Sequence, residues 1–502
     1  MWAAEGQYRE SCYNPGMPRP HAALFFVLVA SASCSSKADD PVVAYPPGTT
    51  PGEGPSPPGT TSDPAKPSTP SVDLPRAGQK LLDHPVIIED VTTDGDLVFI
   101  DGADLDVLPL RATTPTVIVR DYDSGRDELV VRGRLVGAWV GEDPRPSALT
   151  SWTAASGVTI DGPVAARFAL YPKAGSETFA YKGPAPSLLA SHLWVTRAGG
   201  GGGTRVVTNL DGGLTSEACK PTVTWAASEL LVAGCPNGTT TPRIALYAVD
   251  GSGTSKTILE GSAPGVWVNH ARTHALVQTS SAADLRSLSS MGAPLAIDMT
   301  VVQAAFSGDD SKLLYVRADG KVRRTSTTAP GGPLDLGTSI GMLGYSSDAR
   351  FVVCATKRDP LTKRTDLVLV DATAPAARVV VVAPEEAIYL GMTSDGSAVL
   401  FQGPIDGSSK EPLMLLPTDG GAAVTIAADA NRVVFDGAVV YWQELDVPTK
   451  TNVLKAARLS APGTVIDVDR GLDAFTSRVV RAGDRLYVGG KLGLWMYPAI
   501  KP

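Results

Sequence analysis

The chain is short of the residues that build metal and redox centres. It has five cysteines (Cys12, Cys34, Cys219, Cys235 and Cys354) and five histidines in 502 residues. No two cysteines form a CxxC pair, which excludes finger- and ribbon-type zinc sites. Charged residues are also scarce, at 19%, below the usual level of about a quarter. Lys and Arg form no run longer than a few residues, and the net charge is −8. The basic patch that a nucleic-acid partner requires is therefore missing. No GxSxG nucleophile elbow is present. The glycine run 199–203 is not followed by GK[ST], so it is no phosphate loop and reads as a hairpin tip. No apolar run reaches the roughly 20 residues that a membrane-crossing helix needs. No cofactor is implied.

What the chain does hold is glycine (51), proline (40) and enough apolar residues (43%) for a large core. Long helical periodicity is nearly absent, and residues 282–291 offer the one candidate for a short helix.

The N-terminal region reads as an address. Residues 22–32 form an apolar stretch of signal-peptide length, preceded by Arg19 and followed by small residues. Residues 1–16 match no part of a signal, so the expected start is Met17, which would leave Cys12 untranslated. Ser31-Ala32-Ser33-Cys34 resembles the lipobox of bacterial lipoproteins, although Ser31 stands where that family usually has Leu. The resemblance implies acylation of Cys34 and anchoring in the cell envelope, at the outer membrane on its periplasmic or surface side. A plain secreted protein is the second choice. Residues 35–77 contain eleven prolines among Gly, Ser, Thr and Asp. Such a segment cannot bury enough surface to order itself and is expected to be an extended tether.

From residue 78 onward, turn signals alternate with short apolar runs, and one cassette recurs. It consists of small polar residues, an Asp or Gly, then three to five apolar residues. Copies contain Asp94, Asp310, Asp348, Asp395, Asp436 and Asp484; from Asp310 the intervals are 38, 47, 41 and 48 residues. Asp and Gly suit a tight turn, and the apolar run after it suits a buried strand. A period of roughly 40–50 residues is the signature of propeller blades. The expected fold is all-β: a propeller of four-stranded blades over residues 78–502, with eight blades preferred and seven next. The last unit ends about one strand short, and residues 80–90 are placed to supply it and close the ring. The rival is two smaller β domains meeting near residue 215. The segments "SGDDSKLLYV" (307–316) and "TSDGSAVLF" (393–401), with "TDLVLVDATA" and "PLMLLPTDGG" as closing strands, resemble the TolB-like propeller repeat. The resemblance implies an envelope protein that interacts with other envelope proteins.

Chemistry is thinly signalled. Cys219 and Cys235 flank two apolar runs joined by a short turn, so a hairpin would bring them together as a disulfide in an oxidising compartment. Cys354 sits within a strand-like run and reads as a core residue. His270 and His274 have the spacing of a helical zinc pair, but the accompanying Glu is missing and the segment reads as strand–turn–strand. Only His84 and His192 remain beyond the leader, so no metal or Ser-His-Asp site is assigned. The recurring aspartates read as turn chemistry. The expected role is a non-catalytic scaffold for envelope proteins or a peptide or glycan ligand, anchored to the membrane through lipid. One alternative is an extracellular glycan- or lactone-active enzyme with carboxylates converging at the channel. The other is a structural or adhesive surface protein.

Overall fold

The computed structural model describes residues 78–501, apart from segments 124–127, 141–146, 165–169, 174–175, 185–190, 199–202, 209–218, 220, 237–238, 240, 262–264, 280, 291–292, 359–364, 374–377, 383–386, 404–409, 449 and 473–477. The leader, Cys34 and the tether lie outside the described residues, as does nearly all of the glycine run.

Among the described residues, forty strands form ten antiparallel sheets of four strands each. Nine sheets are consecutive in sequence: blade 1 (86–119), blade 2 (128–164), blade 3 (170–207), blade 4 (222–260), blade 5 (265–298), blade 6 (301–338), blade 7 (341–382), blade 8 (388–427) and blade 9 (431–472). Blade 10 combines residues 478–498 with the first strand of the chain, Gln79–Leu82. That strand pairs with Gly493–Pro498, Gln79 opposite Met496 and Lys80 opposite Trp495. The missing strand is thus supplied from the expected segment, and Val86–Val91 then opens blade 1.

Ring closure is visible in the core. Among the described residues, buried apolar side chains form ten clusters, and each cluster is shared by two neighbouring blades. The seam between blades 10 and 1, for example, joins Val480, Tyr487 and Leu494 to Ile88, Leu97 and Phe99. Successive side chains of a strand point to opposite faces. In Lys312–Arg317, Leu313 and Tyr315 therefore enter the seam with blade 5, while Leu314 and Val316 enter the seam with blade 7. A strand buried on both faces reads as a continuous apolar run, which is why "KLLYV" and "FVVCA" dominate the sequence.

The blade count corrects the sequence reading: ten, where eight or seven was expected. Propellers typically have roughly four to eight blades, and the expectation of eight follows that rule. Blades 2 and 4 turn on Gly133-Arg134 and Ala227-Ser228, pairs without an aspartate. The two-domain alternative also fails, because Leu193 and Val195 of blade 3 pack against Val223 and Trp225 of blade 4 across residue 215. The expected helix near 282–291 is instead a central strand, Ala283–Ser287, paired on both sides. Its polar residues suited a helix, but sheet pairing overrides local propensity.

Candidate functional site

Each blade begins with its innermost strand and moves outward, so the inner strands together line the central channel. The two ends of the ring differ. One end carries the turns that join the first and second strands of each blade. The other carries the crossovers from one blade to the next.

The turn end is where the cassette aspartates gather, and their roles divide. Asp348, Asp395 and Asp436 each accept the N–H two residues ahead, at 3.0 Å, from Arg350, Ser397 and Ala438. This is an Asx turn. The copy in blade 6 uses Asp309, which accepts from Ser311 N at 3.0 Å, not Asp310 as the sequence reading had it. The next residue in the turn is left-handed: Gly95 (φ 88), Asp310 (φ 58), Ala349 (φ 54), Gly396 (φ 72) and Gly437 (φ 90). Asp310 thus holds the step that favours glycine. Its carboxylate instead reaches blade 5, accepting from His270 N (2.9 Å), Ala271 N (2.8 Å) and Asn269 Nδ2 (2.9 Å), and meeting His270 Nδ1 at 2.9 Å. Asp94 meets Arg134 Nε at 3.0 Å, Asp436 pairs with Arg481 of blade 10, and Asp484 lies in the turn before Arg485–Gly490. Backbone bonds join neighbouring turns: Thr93 N to Gly133 O (2.8 Å), Gly308 N to Ser347 O (2.7 Å) and Ser394 N to Gly437 O (3.0 Å). The cassette therefore ties blade to blade as well as strand to strand. Hydrogen bonds from Ser307 and the Ser311 N–H hold the Asp309 carboxyl down at about 2.

The channel has a different chemistry. The inner strands of blades 1, 6, 7 and 8 carry β-bulges at Glu89, Val302, Leu343 and Leu390. A bulge breaks the alternation and re-aims a side chain. On blades 6 and 7 the bulges leave Val302 57% and Leu343 39% exposed, and the crossovers into these blades expose Met299 and Ile340, each more than half, to complete an apolar lip. Gln303 fixes the two strands to each other, donating to Met342 O at 2.7 Å and accepting from Met342 N at 2.8 Å. Beside the lip, Tyr389 of blade 8 packs so closely over Gly344 of blade 7 that a Cβ there would collide with its phenol. Burial and then Tyr345 push the Tyr389 phenol pKa upward.

At blade 1 the channel strand carries Glu89 and Asp90. Burial lifts both carboxyls, Asp90 to about 6, against the pull of Arg478. Arg478 of blade 10 donates to Ile88 O at 2.8 Å.

Cys219 and Cys235 are joined by a disulfide with Cα atoms 4.9 Å apart, beside the Thr222–Ala233 pair of blade 4. Cys354 is buried in the seam between blades 6 and 7, and burial raises its thiol to about 12. His270 and His274 lie on either side of a strand–turn–strand bend, one bound to Asp310 and the other to Thr273. Among the described residues, no three His, Cys, Asp or Glu side chains are grouped to hold a metal ion. Sequence reasoning missed the apolar lip, Gln303, Asp309 and the Glu89–Asp90 pair. An adjacent acidic pair in an otherwise apolar inner strand was the one available signal.

No protein-family model matches the chain, and no curated protein matches it. Solved structures are similar. A eukaryotic initiation factor shares 10% identity, with 73% of this chain and 91% of that chain covered and a TM-score of 0.47. A prolyl endopeptidase shares 12%, covering 67% and 54%, with a TM-score of 0.37. TolB from Acinetobacter baumannii shares 12%, covering 56% and 79%, with a TM-score of 0.23. These are likenesses of fold alone, and the chain's own strands make it a β-propeller of ten four-stranded blades.

Proposed function

We propose that this protein is a non-catalytic envelope lipoprotein whose propeller captures a segment of a partner polypeptide at the crossover end of its channel. The observation that carries this reading is the set of exposed apolar side chains at the start of blades 6 and 7: Val302 and Leu343 on the inner strands, and Met299 and Ile340 in the crossovers that lead into them. Large apolar side chains exposed together mark interaction sites. Apolar side chains of a peptide fit such a surface, and the Gln303 bridge keeps it in one shape. The Cys34 lipid and the proline-rich tether would hold the domain within reach of other envelope proteins. Replacing Val302 and Leu343 together by Asp is expected to remove the protein from envelope complexes separated under native conditions, while its thermal transition stays in place. Complexes of unchanged size would count against the reading. Mass spectrometry of the mature N-terminus tests the anchor, with a peptide beginning at acylated Cys34 expected.

A second reading has one observation in its favour. Asp90, held near 6 beside Glu89 on the channel strand of blade 1, has the pKa of a general acid or base at work near neutral pH. A glycan- or lactone-cleaving activity lost in Asp90→Asn would favour that reading over the scaffold.

A further inference from the structure

The seams of the ring can be compared position by position at the crossover end. Between blades 5 and 6, Asp298, the last residue of the outer strand of blade 5, faces the middle hairpin of blade 6. Arg323 Nη1 donates to it at 2.7 Å, the Tyr315 hydroxyl donates at 2.9 Å, and Arg317 Nη1 lies 3.6 Å away. The carboxylate and its cations satisfy one another inside the chain.

The seam between blades 10 and 1 has the same layout with the charges inverted. Phe99 pairs with Asp106 in register, as Tyr315 pairs with Arg323. Asp101 stands at the end of the second strand, where blade 6 has Arg317, and pairs with Asp104. Cross-strand partners and residues two apart share a face of a sheet, so Asp101, Asp104 and Asp106 lie on one side of the hairpin. An inverted seam needs cations from the crossover. The crossover here supplies Asp83 and His84, and His84 Nε2 meets Asp101 Oδ1 at 2.7 Å. Arg120 Nη1 lies 3.9 Å from Asp104. Asp106 is only 6% exposed, and its Oδ1 accepts no hydrogen bond from any described residue. A buried carboxylate oxygen without a donor is costly, and the two neighbouring carboxylates add to that cost.

We propose that the seam between blades 10 and 1 is a binding site for an organic cation, a primary ammonium or a guanidinium, held by Asp106 with Asp101 and Asp104. The spacing favours an organic cation over a metal ion. Among the described residues no three such ligands are close enough for a metal, which would need oxygens at about 2.3–2.6 Å. N–H donors work at about 2.7–2.9 Å and fan out from one group. A guanidinium with five donors can serve three carboxylates together. Asp101 and Asp104 are partly exposed at the hairpin tip, so the site opens at the crossover end, and an entering cation takes the place of His84 on Asp101. The site is separate from the apolar lip and stands or falls independently of the channel reading.

The test is the thermal transition of the purified full chain at neutral pH, titrated with Nα-acetyl-arginine methylamide, with spermidine, and with the neutral citrulline analogue. A saturable upward shift is expected with a cation and not with the citrulline compound. Affinity should fall at least about tenfold in Asp106→Asn and in the more exposed Asp104→Asn, which decides the matter should the first variant fold poorly. A shift by the arginine derivative identifies a peptide side chain as the natural source, and a shift by spermidine alone identifies a polyamine. Absence of any saturable shift, an equal shift with citrulline, a shift undiminished in both variants, or a shift given by calcium alone overturns the proposal.

Discussion

Two aspartates, Asp309 at the turn end of the ring and Asp106 at the crossover end, behave in opposite ways. At the turn end, Asp309 is surrounded by donors: the Ser307 hydroxyl at 2.6 Å and the Ser311 N–H at 3.0 Å. These favour the charged carboxylate and hold it at about 2. At the crossover end, Asp106 is buried without a donor to its Oδ1 and faces two like charges. Burial, then Asp101 and Asp104, raise it to about 6. The residue type is the same, and the surroundings decide whether it is part of the frame or a group prepared for something else. Asp298, also at the crossover end, sharpens the point: its side chain is only 8% exposed, but three donors or cations of blade 6 surround it.

The largest expected effect comes from breaking the satisfied case. Asp298→Ala leaves Arg323 without its carboxylate and Arg317 with Asp319 alone, and should destabilise the fold by about 3 kcal/mol in chemical denaturation. Asp106→Asn should do the reverse and raise the melting temperature at pH 7.5 by a few degrees. The sign follows from linkage. A carboxyl raised from 3.8 to about 6 binds its proton more tightly in the folded state, so ionising it works against folding. The gain in the variant should be absent below about pH 4, grow between about pH 4 and 6, and be complete above that. A variant no more stable than the parent at pH 7.5 would erase the contrast between the two ends.

The third effect is smaller and has the opposite pH window. Asp309→Asn should cost about 1 kcal/mol at neutral pH through weakened hydrogen bonds. Because the folded carboxyl is depressed from 3.8 to about 2, that stabilisation is present above about pH 4 and fades as the pH falls towards 2. Urea titrations at two pH values check it. A comparable loss is expected in Asp310→Asn, seen as weaker protection from hydrogen exchange at His270 and Ala271, whose N–H groups its carboxylate accepts.

How much of this was legible in the sequence depends on how local each feature is. The second strands, such as Lys312–Arg317, announce themselves because both of their faces are buried. The closing strand was legible because the last unit came up short. The Cys219–Cys235 hairpin was legible from two apolar runs and a short turn. The number of blades was not. It depends on how neighbouring blades pack, and the segments joining the first and second strands of blades 2, 3, 4 and 5 lack the aspartate that marks the other six. Asp310 was misplaced by one step because two aspartates stand side by side, and only the left-handed backbone tells them apart. Val302 and Leu343 look like core residues until a bulge turns them outward. Asp106 and Asp298 take their meaning from partners on another strand or another blade, and no local pattern records that.

The central claim is that the crossover end and its channel form the binding side, while the turn end is framework. The most direct test is a photocrosslinking residue placed in turn at positions 299 and 343, and at positions 348 and 395, in the full chain within its own envelope. The account predicts partner adducts from 299 and 343, lost when Val302 is replaced by Asp, and none from 348 or 395. Adducts of equal yield from the turn end, or adducts at 343 indifferent to Val302→Asp, would contradict it.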